Sequence, residues 1–175
     1  MPQMAKFLRA NGPWSQLVDL NNIDIQPLEQ NRTVQAGQRV AVTPIRVPHR
    51  DEFSETVGYR IQGPNRTALF IPDIDKWSKW ERSLEAEVAA VDIAFLDGTF
   101  FDAAELGHRD MSEIPHPFIV ESLALMAAWP TAERDKVHFI HLNHTNPCLD
   151  TTSQAYRTVV ASGFQVARFG QTLPL

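Results

Sequence analysis

After a short opening helix, the first half of the chain alternates apolar and polar positions with a period near two. Met4, Phe7 and Leu8 fall at helical spacing, and Asn11-Gly12-Pro13 ends that stretch. Ile23 to Leu28 alternates and predicts a short edge strand, because Pro27 has no N–H to give a ladder. Asn31 to Gly37 is rich in turn residues, and Arg39 to Val47 alternates again as a strand. Thr56 to Gln62 and Thr67 to Ile71 predict two strands joined by Gly63-Pro64-Asn65, which has the chemistry of a hairpin turn.

The second half changes rhythm. Asp75 can cap a helix in which Trp77, Trp80, Leu84, Val88 and Val91 make one apolar stripe. Val91 to Leu96 is mostly apolar and suits a buried strand. Pro117 sits at the first turn of a helix carrying Phe118, Ile119, Leu123 and Met126. Val137 to Leu142 predicts a strand, Thr151 to Ser162 a helix closed by Gly163, and Gln165 to Phe169 a last strand. Strands alternating with helices imply an α/β fold with a parallel or mixed sheet. No repeat, low-complexity tract or linker divides the chain, so residues 1–175 read as one domain.

Composition narrows the class. The hydrophobic fraction of 43% and charged fraction of 21% are those of an ordinary globular protein. A formal net charge of −5 argues against nucleic acid as the main partner. Cys148 is the single cysteine, so no internal disulfide is available and no oxidising compartment is required. No apolar run approaches the roughly 20 residues that span a bilayer. Met1 to Gly12 lacks the apolar core of a signal peptide, and a cytoplasmic setting is the expectation.

Three apolar runs end in a side chain that can bind a metal. Val42 to Pro48 leads into His49, Ala68 to Pro72 into Asp73, and Val137 to Ile140 into His141. Imidazole and carboxylate suit Zn²⁺, Mn²⁺ or Fe²⁺, and ligands from separate strand ends can converge on one point. Singly each signal is weak, since a histidine after a strand is more often a hydrogen-bonded surface residue. Asp97-Gly98-Thr99-Phe100 also follows a buried strand, and His116 stands just ahead of a helix. A helix N-terminus lowers the pKa of a nearby imidazole and suits it to proton transfer, although composition alone favours a plain N-cap role for His116. His108 and His138 read as outside the site, and His144 competes with His141. Trp77 and Trp80 read as core, Cys148 as a small buried residue.

Val47-Pro48-His49, Thr56-Val57-Gly58-Tyr59-Arg60-Ile61 and Phe70-Ile71-Pro72-Asp73 together resemble the metallo-β-lactamase superfamily, in its ribonuclease-Z-like and phosphodiesterase-like branches. His141-Leu142-Asn143-His144-Thr145-Asn146-Pro147, with Leu149-Asp150 and Asp97-Gly98-Thr99-Phe100, is more specifically similar to members close to the pyrroloquinoline quinone biosynthesis protein B. The likeness runs from about Thr43 to Leu175. It implies part of an αββα sandwich, with a mixed sheet and flanking helices. It also implies that His49, Asp73 and His141 are metal ligands, with Asp73 bridging. His116 would assist catalysis as a proton donor, and Asp97 would orient a ligand or substrate.

One departure matters. The superfamily's His-x-His-x-Asp-His signature is absent, and no His or Cys precedes His49. The expectation is therefore the C-terminal part of a longer domain, holding Zn²⁺ (or Mn²⁺ or Fe²⁺) weakly or not at all by itself. Hydrolysis of an ester or phosphodiester is the first functional reading, on a small-molecule substrate. The alternatives are a quinone-biosynthesis-like metal-dependent oxygenase and a non-catalytic oligomeric fragment. An uncovered sheet face also leads us to expect a homodimer or larger homo-oligomer.

Overall fold

The computed structural model describes residues 2–52, 54–107, 110 and 113–175. Helices α1 (Pro2–Ala10) and α2 (Trp14–Asp19) open the chain and pack on each other through Phe7 and Trp14, whose rings lie 5.4 Å apart. Strands β1 (Val34–Gln35), β2 (Ala41–Arg46), β3 (Val57–Gln62) and β4 (Thr67–Ile71) follow as an antiparallel meander. The β3–β4 turn closes where Gly63 N donates to Arg66 O at 2.9 Å, as its Gly-Pro-Asn chemistry predicts. Strands β5 (Ile93–Asp97), β6 (Val137–Ile140) and β7 (Gln165–Val166) then add in parallel, giving one seven-stranded sheet in sequence order.

Helices α3 (Leu84–Ala89), α4 (Ile119–Leu125), α5 (Thr131–Arg134) and α6 (Gln154–Ala161) occupy the parallel crossovers. Leu69, Ile71, Ala94, Leu96, Val137 and Phe139 point from the sheet into a core with Leu84, Val88, Ile119, Leu123, Ala155 and Val159 from the helices. Register puts Tyr59, Phe70, Phe95 and His138 in one cross-strand row on the opposite face, where all four are only half-buried. This is the mixed α/β architecture expected, seen as one sheet with helices against one face.

Two expected elements are corrected. Residues 23–28 form no regular strand: Pro27 offers no N–H, and none of the six positions is buried. The long helix from Asp75 is broken. A single 3-10 turn spans Trp77–Lys79, Trp80 is extended, and α3 begins afresh where Ser83 Oγ accepts from Ala86 N. The two indoles explain the break. Trp77 Nε1 donates to Ser122 Oγ on α4 at 2.8 Å, and Trp80 Nε1 donates to Arg46 O on β2 at 3.1 Å. A burying indole needs a partner for its N–H, and these partners lie in different directions.

The strand Gln165 to Phe169 shortens to two residues, while Gly163 closes α6 at a φ of 85°, as expected of a helix terminator. No helix of the described residues is long and apolar enough to cross a membrane.

Phe139 has no exposed surface and packs on Phe164, ring centroids 6.0 Å apart. Phe139→Ala should cost about 3–5 kcal/mol in urea unfolding, against under about 0.5 kcal/mol for Leu125→Ala, which is 51% exposed. Equal losses for the two would contradict this placement of the core.

Candidate metal centre

Parallel pairing sends the C-terminal ends of β4, β5 and β6 to one edge of the sheet. Strand β2, two antiparallel steps from β4, runs the same way. Each of these four strands delivers one polar side chain there. His49 follows β2 through Val47-Pro48, Asp73 follows β4 through Pro72, Asp97 is the last residue of β5, and His141 follows β6. The loop ahead of α4 adds His116. Backbone bonds fix the loops relative to one another: Asp75 N donates to Pro48 O at 2.7 Å, Gly98 N to Ile140 O at 2.9 Å, and Asn143 N to Thr99 O at 2.9 Å.

Asp73, Asp97, His116 and His141 each offer one ligand atom within 4.8 Å of the others. His49 Nε2 stands 3.2 Å from Asp73 Oδ1, and its ring lies 5.3 Å from that of His116. All five residues singled out in the sequence therefore meet at one place. His144 is exposed and stands outside this group, His138 sits within β6 in the half-buried row, and His108 lies outside the described residues.

The five are held in different ways. Asp97 has no exposed surface and accepts four hydrogen bonds: Thr99 N (2.8 Å) and Thr99 Oγ1 (2.7 Å) on Oδ1, Ile74 N (3.1 Å) and His116 Nδ1 (2.8 Å) on Oδ2. Asp73 is the opposite case. Its Oδ1 is buried with no hydrogen-bond partner, although His49 Nε2 at 3.2 Å and His116 Nδ1 at 3.5 Å flank it. His49 Nδ1 is likewise buried and unpartnered. A buried acceptor left without a donor costs about 1–3 kcal/mol. A carboxylate oxygen in that condition among imidazoles is what a divalent cation would satisfy, and the all-N/O donor set suits zinc, iron or manganese.

The charge state of His116 departs from the sequence expectation. Burial opposes its charged form, but the hydrogen bond and charge of Asp97, with the carboxylates of Asp73 and Asp75, outweigh it and raise the pKa above the usual histidine value. The dipole of the seven-residue α4, which was expected to lower it, loses to three nearer carboxylates. Cys148 is no nucleophile: burial, helped by the charge of Glu105, pushes its thiol up to about 12.

Three positioning residues escaped the sequence reading. Thr99 joins Asp97 to His141, its Oγ1 lying 3.0 Å from His141 Nδ1. Asn146 is buried, and its Nδ2 donates to Gly98 O at 2.8 Å and Thr99 O at 3.1 Å. Glu105 accepts from Phe101 N at 2.7 Å and from Thr145 Oγ1 at 2.5 Å, tying the same two loops farther out. The signal for the first two was available. Asp-x-Thr after a strand and Asn-x-Cys ahead of a turn both invite a side chain to bond the backbone two residues on.

Comparison with known proteins follows the same line. Residues 2–158 match the beta-lactamase superfamily domain family. The chain is 32% identical over 140 residues to the coenzyme PQQ synthesis protein B of Methylococcus capsulatus, covering 73% of this chain and 44% of that protein. It is 30% identical over 126 residues to that of Xanthomonas euvesicatoria, covering 69% and 41%. It thus spans less than half the length of these curated relatives. The crystal structure of Zn(2+)-bound PqqB from Methylobacterium extorquens superposes with a TM-score of 0.79 at 24% identity, over 100% of this chain and 61% of that one.

Asp97→Ala removes the acceptor of four donors at once. Equilibrium unfolding of this variant should show a loss of about 3–5 kcal/mol. A loss below about 1 kcal/mol would mean that the four bonds do not hold the loops.

Proposed function

The chain belongs to the beta-lactamase superfamily, and from that premise we propose that it carries a metal-holding edge serving a reaction of quinone-cofactor synthesis, akin to that of the PQQ synthesis B proteins. The observation that carries the metal assignment is the buried, unpartnered Oδ1 of Asp73 between the imidazoles of His49 and His116. Similarity to the PQQ synthesis proteins favours this reading over the ester or phosphodiester hydrolysis placed first by the sequence analysis.

His49, Asp73 and His141 would hold the metal, Asp73 through the oxygen that lacks a donor. When bound, such a metal supplies Lewis-acid polarisation of a substrate oxygen or, if iron, a redox centre. The rest falls to the chain. Asp97 takes the Nδ1 proton of His116 as a hydrogen bond, which orients the ring and leaves Nε2 as the atom that exchanges a proton with substrate. His49 borders two cavities. One, of about 210 Å³, is lined by Thr99, Phe100, Ile114 and His116, and the other, of about 450 Å³, by Arg46, Lys79, Trp80 and Arg82. The larger of the two has the size of a small-molecule pocket. Phe100 and Ile114 are buried and give the cavity beside His116 an apolar wall, the Phe100 ring lying 6.0 Å from the imidazole.

Metal content at equilibrium, from dialysis against zinc or iron(II) followed by elemental analysis, tests the roles and also registers the weak binding expected of few ligands. His49→Ala, Asp73→Ala and His141→Ala should each lower metal content at least several-fold with the fold retained. His116→Ala should keep its metal. Loss of metal in His116→Ala alone would reverse the assignment. Rapid hydrolysis of a lactone or phosphodiester panel, abolished by Asp73→Ala, would favour the hydrolase over the biosynthetic reading.

A further inference from the structure

We propose that Thr99 is a positioning residue that fixes the tautomer of His141, relaying the charge of Asp97 so that His141 presents a bare Nε2 to the site; this rests on the reading of His141 as a metal-holding residue.

Two of the four donors on Asp97, the backbone N–H groups of Ile74 and Thr99, can only donate, and one of them reaches each carboxylate oxygen. The remaining two are Thr99 Oγ1 on Oδ1 and His116 Nδ1 on Oδ2. Asp97 has no exposed surface, each of its oxygens already receives a backbone N–H, and the hydroxyl of Thr99 donates to Oδ1 beside them. Thr99 must therefore spend its single hydroxyl proton on Asp97, at 2.7 Å. With that proton spent, Oγ1 can only accept from its other neighbour, His141 Nδ1 at 3.0 Å. His141 must then carry its proton on Nδ1. A neutral imidazole protonated there has its lone pair on Nε2, the atom a cation or an acid needs.

The backbone is built for the same purpose. Thr99 is 7% exposed, and its carbonyl accepts from Asn143 N and from the buried Asn146 Nδ2, so the hydroxyl has little freedom to turn away. His141 is held at a φ of 62°, in the left-handed region that residues other than glycine adopt uncommonly, histidine more readily than most. The residue is exposed, and its Nδ1 faces the hydroxyl of Thr99.

The same carboxylate thus sets two rings, His116 directly and His141 through a hydroxyl. The difference has a consequence for mutation. Only the His141 arm passes through a residue that can be changed without touching the charge.

The test combines a tautomer readout with an affinity. In the metal-free chain at about pH 8, above the ordinary histidine range, long-range ¹H–¹⁵N spectra should show His141 with its proton on Nδ1. Thr99→Ser should keep that tautomer, and Thr99→Val should lose it. Zinc affinity, read by competition with a chromophoric chelator, should fall roughly 10- to 100-fold in Thr99→Val, the range for lost outer-shell partners of metal ligands. In Thr99→Ser it should stay within about threefold of the parent. An Nε2–H tautomer in the parent chain, or parental zinc affinity in Thr99→Val, overturns the proposal. Should Thr99→Val fail to fold by circular dichroism, the parent tautomer and Thr99→Ser decide the matter. His141→Ala separates the two claims: unchanged zinc affinity there removes the metal-holding reading itself, whereas a loss there with none in Thr99→Val removes only the role of Thr99.

Discussion

Four hydrogen-bond donors from two connections converge on Asp97, a carboxylate with no exposed surface. Ile74 belongs to the loop after β4, while Thr99 and His116 stand near the two ends of the connection from β5 to α4. Through Thr99 the loop after β6 joins them. A buried charge is tolerable only when its acceptor positions are filled, so each loop is required by the others. The geometry of the site follows from that demand. Without Asp97 the sheet and the backbone bonds between its loops could still form, because neither depends on that side chain, but the links that join Ile74, Thr99 and His116 at one point would be lost.

The sheet supplies the other half of the arrangement. Four strands running in one direction bring His49, Asp73, Asp97 and His141 to one edge, and ladder-like bonds such as Gly98 N to Ile140 O carry the strand spacing into the loops. The helices pack on one face only, so the core lies to one side of the edge. The row of Tyr59, Phe70, Phe95 and His138 lies on the other face. The site is thus polar groups held at the rim of a rigid apolar slab, with Asp73 the one carboxylate left unsatisfied by protein donors within the cluster. Preorganisation of this kind comes from packing and outer hydrogen bonds, not from the ligands themselves.

Much of this was legible along the chain. Strands whose two-residue alternation or apolar run was strong, 41–46, 57–62, 67–71, 93–97 and 137–140, stand where the pattern put them. The five residues that meet at the sheet edge were singled out because each terminates such a run or precedes a helix. What failed was reading that needed partners distant in sequence. Trp77 and Trp80 have helical spacing with Leu84 and Val88, but their indole N–H groups are claimed by Ser122 and Arg46, and no periodicity records that. The raised pKa of His116 depends on Asp97 and Asp73, nineteen and more residues away, which outweigh a helix terminus visible locally. Thr99 and Asn146 were passed over because a hydroxyl and an amide are not metal ligands, although their spacing from Asp97 and Cys148 is that of side chains that bond the nearby backbone.

The proposed function requires a cation at the point where the strand ends meet. Crystals of the chain soaked in zinc chloride, with diffraction recorded just above the zinc absorption edge, measure that directly. The account predicts an anomalous peak about 2.0–2.2 Å from Asp73 Oδ1 and from at least one imidazole nitrogen of His49 or His141. A strong peak bound to His138 or His144 with none beside Asp73, or no peak at saturating zinc, would contradict it.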